Sequence, residues 1–247
     1  MRDEKDELFV GGAHSVDALL EHFPNRIVEL WYTGEDRGRR GDLIGRATEL
    51  DIPVVKKKRE RFKSISAEAN HQGIALLIKP QSYADWNSLI DDSAALILAF
   101  DQVTDPRNLG ACLRTAEALG GTGALITKNR CARLGPTVCK TSVGASEILP
   151  VAMETNLVRS LSEAKSNGVQ VVGTAFDGGA PASLDLTRPT VIVVGSEGKG
   201  LRQSTEDICD EIVTIPMIGR TASLNASVAA SIVLYEARRQ RVEKGEG

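Results

Sequence analysis

Three stretches combine glycine with polar side chains and follow apolar runs: Asp101 to Arg114 (DQVTDPRNLGACLR), Gly195 to Leu201 (GSEGKGL) and Met217 to Asn225. Within them, Asn108, Arg114, Glu197, Ser223 and Asn225 are the polar candidates for orienting or polarising a ligand. A fourth segment, Gly173-Thr174-Ala175, ends a run of its own. Ligands of open α/β sheets bind beyond the carboxyl ends of the strands, so these segments suit one glycine-lined site. Two familiar nucleotide patterns are missing. No GxGxxG lies between a strand and a helix, and GSEGKG lacks the P-loop spacing and the Ser/Thr after its lysine. A dinucleotide-dependent oxidoreductase and a nucleoside triphosphatase are poorly supported. Cys112, Cys131, Cys139 and Cys209 form no CxxC pair, and His14, His22 and His71 are scattered. The expectation is free thiols and no metal.

Several of these residues also have a plain structural reading. On a helix from Leu109 to Leu119, Leu109, Cys112, Leu113 and Ala116 share a face and Arg114 lies off it, near Gly110 and Ala118. Arg114 is either a surface arginine paired with Glu117 at i,i+3, or an arginine over small residues with room for a polyanion. Asn108 fits an ordinary N-cap, and Glu197 between glycines could simply be exposed. The last stretch, Ile215 to Arg241, reads as a turn at Gly219-Arg220-Thr221 and then a long helix from near Asn225. Val228, Ala229, Ile232, Val233 and Tyr235 recur at helical spacing, as in a core helix packed on several neighbours. Ser223 and Asn225 suit its N-cap, and Arg238, Arg239 and Arg241 favour its C-terminal end through the helix dipole.

The elements that must position these residues alternate between strand and helix. Phe9 to Gly12, Ile27 to Tyr32, Ile52 to Val55 and Ile74 to Ile78 read as strands, with helices through Ala18 to Leu20, over Leu43 to Leu50 and over Glu60 to Ala69. Gly34 to Gly41 reads as a basic loop. This is a small α/β domain, 1–79. A connector with a short helical piece, 80–93, follows. The domain 94–247 carries strands at Ala94 to Phe100, Gly123 to Thr127, Ile148 to Val151, Val169 to Ala175, Thr190 to Gly195 and Ile212 to Ile215, with helices between them. Such alternation argues for a parallel sheet covered by helices on both faces.

The chain has 247 residues, 42% of them hydrophobic and 26% charged, with a net charge of −3. No apolar run reaches membrane-spanning length and the charged N-terminus lacks a signal-peptide core, so a cytoplasmic protein without membrane contact is expected. Positive charge clusters at Arg37, Arg39 and Arg40 and from Lys56 to Lys63. Such runs are solvated faces or phosphate-binding patches.

DQVTDPRNLGACLRTAEALG, VVGSEGKGLR and IPMIGRTASLNASVAASIVLYEARR resemble, in order and separation, the three signature motifs of the SpoU (TrmH-like) branch of the SPOUT methyltransferases. FVGGAHSVDALL and NHQGIALLI resemble the small L30e-like RNA-binding domain of its bacterial RlmB-type members. The resemblance covers nearly the whole chain. It implies a SPOUT domain with a C-terminal trefoil knot, an obligate homodimer, S-adenosylmethionine as cofactor and no metal. It also implies 2′-O-methylation of a guanosine in the peptidyl-transferase region of 23S rRNA, free or in a precursor particle. By motif, Asn108, Arg114, Glu197, Ser223 and Asn225 carry over as catalytic. Thr174, Ala175, Gly195, Ile215, Met217 and Leu224 carry over as cofactor contacts, largely through backbone. The family proposal makes the arginine a general base. A guanidinium that stays protonated is better suited to holding phosphate and stabilising alkoxide charge. A tRNA ribose methyltransferase of the same family and a silent RNA-binding or ribosome-assembly protein are the alternatives.

Overall fold

The computed structural model describes residues 8–58, 60, 62, 71–79, 82–220 and 223–245. The helix expected over 60–69 lies almost wholly outside them. In chain order the elements are β1 (Leu8–Gly11), α1 (Ala13–His22), β2 (Ile27–Tyr32), α2 (Arg39–Glu49), β3 (Val54–Lys56), β4 (Ile74–Ile78), α3 (Trp86–Ile90), β5 (Leu96–Phe100), α4 (Pro106–Ala118), β6 (Gly123–Thr127) and α5 (Pro136–Thr141). There follow β7 (Val151–Glu154), α6 (Leu157–Ser166), β8 (Gln170–Gly179), β9 (Thr190–Val194), α7 (Gln203–Glu206), β10 (Glu211–Val213) and α8 (Ala226–Glu243). They fall into two compact units, Met1–Ser82 with Leu134–Ile148, and Tyr83–Arg133 with Leu149–Gly247.

The first unit carries a four-stranded sheet, order β1-β4-β2-β3, in which β2 and β3 run parallel and β4 runs antiparallel to β1 and β2. Val16, Leu19 and Leu20 of α1 and Leu43 and Ala47 of α2 pack with Leu30, Leu76 and Ile78 in one core. Helix α2 starts at Arg39, four residues before the expected Leu43. Gly38 adopts a left-handed φ of 58° and its carbonyl accepts from the Asp42 amide, which opens the helix early. Segment 134–148 belongs to this unit, although it follows a strand of the other one. The Cys139 side chain is buried in the same core. Glu147, almost fully buried, pairs with Arg26 at 2.7 Å, and Arg26 also donates to the Lys79 carbonyl. No shift in composition marks this excursion.

The second unit carries a six-stranded, all-parallel sheet, order β10-β8-β9-β5-β6-β7. Strands β5, β6 and β9 are buried at every position, which requires cover on both faces. Ile97, Ala99, Val191 and Val193 share a core with α3 and α6, while α8 packs on β9 and α4. Residues read as a connector supply part of this core. Trp86 is buried and its indole N–H donates to the Ser160 carbonyl at 3.1 Å. Strand β7 begins at Val151, not Ile148, because Pro150 has no N–H to pair and 145–147 close a single turn. All four cysteines are free, and burial pushes Cys112 and Cys209 up to about 12 and Cys131 to about 11, so these three remain thiols at neutral pH.

Helix α8 departs from the uniformly packed helix its spacing implies. Ala226, Ala230, Val233, Leu234 and Ala237 are buried, but Val228, Ile232 and Tyr235 are exposed, Tyr235 by 61%. Near its end, Arg241 does more than complement the helix dipole. The buried guanidinium donates to the carbonyls of Leu186, Ala94, Ala95 and Arg188 at 3.2, 2.7, 2.9 and 3.0 Å. It thereby closes the amino ends of β5 and β9 against α8. Arg241→Ala should lower unfolding stability by about 3 kcal/mol, since it leaves several buried carbonyls unsatisfied. Arg241→Lys should recover little of this, because an ammonium cannot span the same fork. Urea denaturation measures both, and an unchanged midpoint for Arg241→Ala would sink this assignment.

Candidate active site

Strand β9 ends at Val194 and enters a turn that allows only one backbone path. Ser196 and Gly200 exchange N–H···O=C bonds of 3.0 Å in both directions, enclosing residues 197–199. Gly198 and Gly200 take left-handed φ values of 79° and 66°. A Cβ on Gly195 would lie 2.2 Å from the Gly200 carbonyl carbon, so only glycine permits this approach. The closed turn presents Glu197 outward at its start.

Glu197 meets two amides from distant segments. The Asn108 Nδ2 donates to Glu197 Oε1 at 2.8 Å. The Asn225 Nδ2 donates to the same oxygen and to Asn108 Oδ1, the latter at 3.0 Å. A carboxylate only accepts, so both amide nitrogens must face it, and the Asn108 oxygen is left to accept from Asn225. Asn225 has a second task. Its Oδ1 caps α8, accepting from the Ser227 N–H at 2.9 Å and the Ser227 hydroxyl at 2.6 Å. Asn108 is not the N-cap that its position suggested. Asp105 caps α4 through the Arg107 amide at 2.8 Å, with Pro106 as the first helical residue, which places Asn108 inside the first turn.

Beside this network lies a cleft of about 660 Å³, its mouth included. Thr174, Ala175, Gly195, Ile215, Met217 and Leu224 all line it, together with Glu197 and Ser223. Segments 174–176, 194–200, 213–217 and 223–233 thus converge beside the middle of β8 and the carboxyl ends of β9 and β10. Sequence reasoning missed Phe176, Ser196, Thr214 and Ala229, which also line the cleft. Strand β8 continues past Ala175, so Phe176 reaches the mouth, where its carbonyl accepts from the Thr214 hydroxyl at 2.9 Å. Nothing in the local pattern announces that extension. Apolar Met217 and Leu224 beside a carboxylate suit a flat heteroaromatic ring with a positively charged, polar tail.

Arg114 stands apart. It is exposed, does not line the cleft, and has no ion pair or hydrogen bond among the described residues, so the expected alternative partner Glu117 is not engaged. It sits six residues beyond Asn108, roughly 9 Å further along α4. Leu109, Cys112, Leu113 and Ala116 form the buried face, as their spacing implies. In the first unit the basic clusters are partly tied down. Arg39 and Arg46 both bond Asp17, and Arg40 donates to the Thr33 carbonyl at 2.9 Å. Lys57 lies 4.4 Å from the Trp31 ring centroid and Lys56 5.7 Å from that of Tyr32. Residues 59, 61 and 63 of that run lie outside the described residues.

Residues 95–235 match the SpoU rRNA methylase family, and residues 9–84 match the RNA 2′-O ribose methyltransferase substrate-binding family. The chain is 41% identical over 244 residues to a 23S rRNA (guanosine-2′-O-)-methyltransferase, RlmB, of Pseudomonas putida, covering 94% of this chain and 96% of that one. The SpoU methyltransferase AviRb from Streptomyces viridochromogenes, solved in complex with the cofactor AdoMet, superposes with a TM-score of 0.81 at 26% identity, over 96% of this chain and 92% of that one. A TrmH/SpoU tRNA modifying enzyme of A. aeolicus covers 65% of this chain and 84% of its own, with a TM-score of 0.57 at 31% identity.

The double use of Asn225 separates two variants. Asn225→Ser keeps a helix cap and loses the bridge to Glu197, so its stability should stay within about 0.5 kcal/mol of wild type. Asn225→Ala loses both and should cost about 1 kcal/mol more. Equal urea midpoints for the two would show that the cap contributes nothing.

Proposed function

The chain belongs to the SpoU family of RNA ribose methyltransferases, and from that membership we propose that it methylates the 2′-oxygen of a guanosine in 23S rRNA, with S-adenosylmethionine as methyl donor. The observation that carries this is the match of both units, end to end, to a 23S rRNA guanosine-2′-O-methyltransferase. The tRNA-modifying relative matches only part of the chain, which favours rRNA over tRNA. The peptidyl-transferase region is the target implied, in free rRNA or a precursor particle. The intact Asn108–Glu197–Asn225 network argues for an enzyme over a silent binder. On this reading the protein works in the cytoplasm alongside the rRNA. Among the described residues, no helix is long and apolar enough to cross a membrane.

The cleft fits the donor. Gly195 lets the turn close against Gly200 and wall the cleft, and Thr174, Ala175, Ile215, Met217 and Leu224 line the space. The donor supplies a methyl carbon on a sulfonium, a leaving group that calls for no metal. The chain's own task is to hold the ribose in line and manage the charge on its 2′-oxygen. Positioning of this kind is worth several kcal/mol of barrier, on the order of 7 or more in favourable cases. Asn108 and Asn225 hold Glu197 in one orientation beside the cleft, and Ser223 offers a hydroxyl within it. Arg114, exposed and unpaired among the described residues, binds the phosphate of the target nucleotide and stabilises the developing alkoxide. A planar guanidinium with several donors suits an electrostatic and positioning role at that oxygen.

The chain works as a homodimer. Val228, Ile232 and Tyr235 form an exposed apolar stripe at i, i+4, i+7 on α8. Thr115, the neighbour of Arg114, is held to that helix by a 3.0 Å bond with Ser231. A C-terminal trefoil knot belongs to the same reading, and the gathering of segments 195–200, 213–217 and 223–229 around the cleft supports it.

Methyl transfer from labelled S-adenosylmethionine to 23S rRNA and to bulk tRNA tests the reading. Label should enter one 23S ribose, and Arg114→Ala should slow transfer by about 100-fold or more. Label in tRNA alone would assign the chain to the tRNA-modifying type. The dimer is tested separately. Ile232→Glu with Tyr235→Glu should convert a dimer into a folded monomer by light scattering, and a wild-type monomer would rule the dimer out.

A further inference from the structure

The same sheet edge holds a second cleft, of about 750 Å³ with its mouth, at the carboxyl ends of β5, β6 and β7. Its character is opposite to that of the first. Among the described residues its charged lining is Asp101, Arg130 and Arg202, and most of the others are amides and hydroxyls. None of them belongs to the Asn108–Glu197–Asn225 network or to the first cleft.

Asp101 follows β5 and is buried, 1% exposed. Its carboxylate is consumed by one residue. The Arg202 amide donates to Oδ2 at 2.9 Å and the Arg202 Nε to Oδ1 at 2.7 Å. The guanidinium is therefore fixed from behind, while its two terminal nitrogens have no partner among the described residues. A planar fork held in this way is preorganised to grip a phosphodiester or two acceptors on a base edge. The charges of Asp101 and Arg202 cancel, so Arg130 leaves the cleft net positive. The side-chain amides of Gln102 and Asn129 are likewise uncommitted among the described residues, and the Asn156 Oδ1 is occupied by the Arg159 amide, leaving its NH2 to donate. Gln102 and Arg130 both hold left-handed backbone, with φ of 62° and 61°. Side chains rarely adopt this conformation, and such strain gathers where a ligand is held.

We propose that this cleft holds a nucleotide of the substrate RNA next to the methylated one, gripping its phosphate with Arg202 and Arg130 and its base edge with Gln102 and Asn129. The inference rests on the rRNA methyltransferase reading and adds to it a subsite for sequence around the target. The target nucleotide itself is placed elsewhere by distance. The two clefts are centred two to three strands apart, roughly 10–14 Å. That is further than a base stands from its own 2′-oxygen. The wall between them is the turn after β9, which lines the first cleft with Gly195 to Gly198 and Gly200 and the second with Arg202.

Equilibrium binding of a 23S rRNA fragment, beside methyl transfer to it, tests this. Arg130→Ala should raise the RNA Kd about threefold to tenfold and reduce the salt dependence by about one counterion. Gln102→Ala with Asn129→Ala should raise KM for RNA about tenfold, with kcat and S-adenosylmethionine affinity within twofold of wild type. Trimming the nucleotides that flank the target should weaken the wild type but leave a variant with all three substitutions unaffected. Arg202→Ala is a harsher change, since it strands a buried carboxylate, so Gln102, Asn129 and Arg130 carry the test. Wild-type RNA affinity and salt slope in both variants would overturn the proposal, as would parallel loss of S-adenosylmethionine binding. A wild type that binds the RNA but transfers no methyl group to it would count against the enzymatic reading instead. The binding data alone would then decide this one.

Discussion

One carboxylate oxygen organises the working end of the second unit. Glu197 Oε1 accepts from Asn108, 89 residues earlier, and from Asn225, 28 residues later. Each partner is anchored by a separate element, Asn108 in the first turn of α4 and Asn225 as the cap of α8. Glu197 can reach both only because its turn is closed by the reciprocal Ser196–Gly200 bonds and by the absence of a side chain at Gly195. If that turn opened, the cleft would lose a wall and the amides would lose their common acceptor. Backbone closure, with little help from hydrophobic burial, therefore governs the geometry of a site whose polar members are themselves exposed or half-exposed.

Burial governs the frame behind it. The central strands β5, β6 and β9 are buried at every position, and the amino-terminal side of the sheet is sealed where Arg241 gathers four carbonyls from two segments. Ion pairing at the opposite end is of another kind. Asp101 is spent entirely on aiming Arg202, whose outer nitrogens are left for a ligand. A buried arginine bonded on all sides stabilises the fold, whereas a half-exposed arginine braced on one side is equipped to bind. Arg114 carries no brace among the described residues, and an unpaired, exposed guanidinium is the arrangement a mobile RNA phosphate can recruit.

The sequence by itself determined the alternation of strand and helix, the parallel character of the main sheet and the segments that form the site. Each of these follows from local rules: period, apolar runs, and glycine beside polar residues at strand ends. It also marked Gly195, whose lack of a side chain the turn demands. Only the tertiary structure decided which neighbours those local signals would find. Asn108 looked like a cap, but Asp105 took that role and freed its amide for Glu197. Residues 80–93 read as a connector, yet Trp86 fills the core of the second unit. Segment 134–148 packs with a sheet laid down more than fifty residues earlier, and α8 exposes an apolar face its spacing would bury. The physical reason is common to all four. Hydrogen-bond partners and buried contacts across long sequence separations depend on where whole elements dock, and no local period records that.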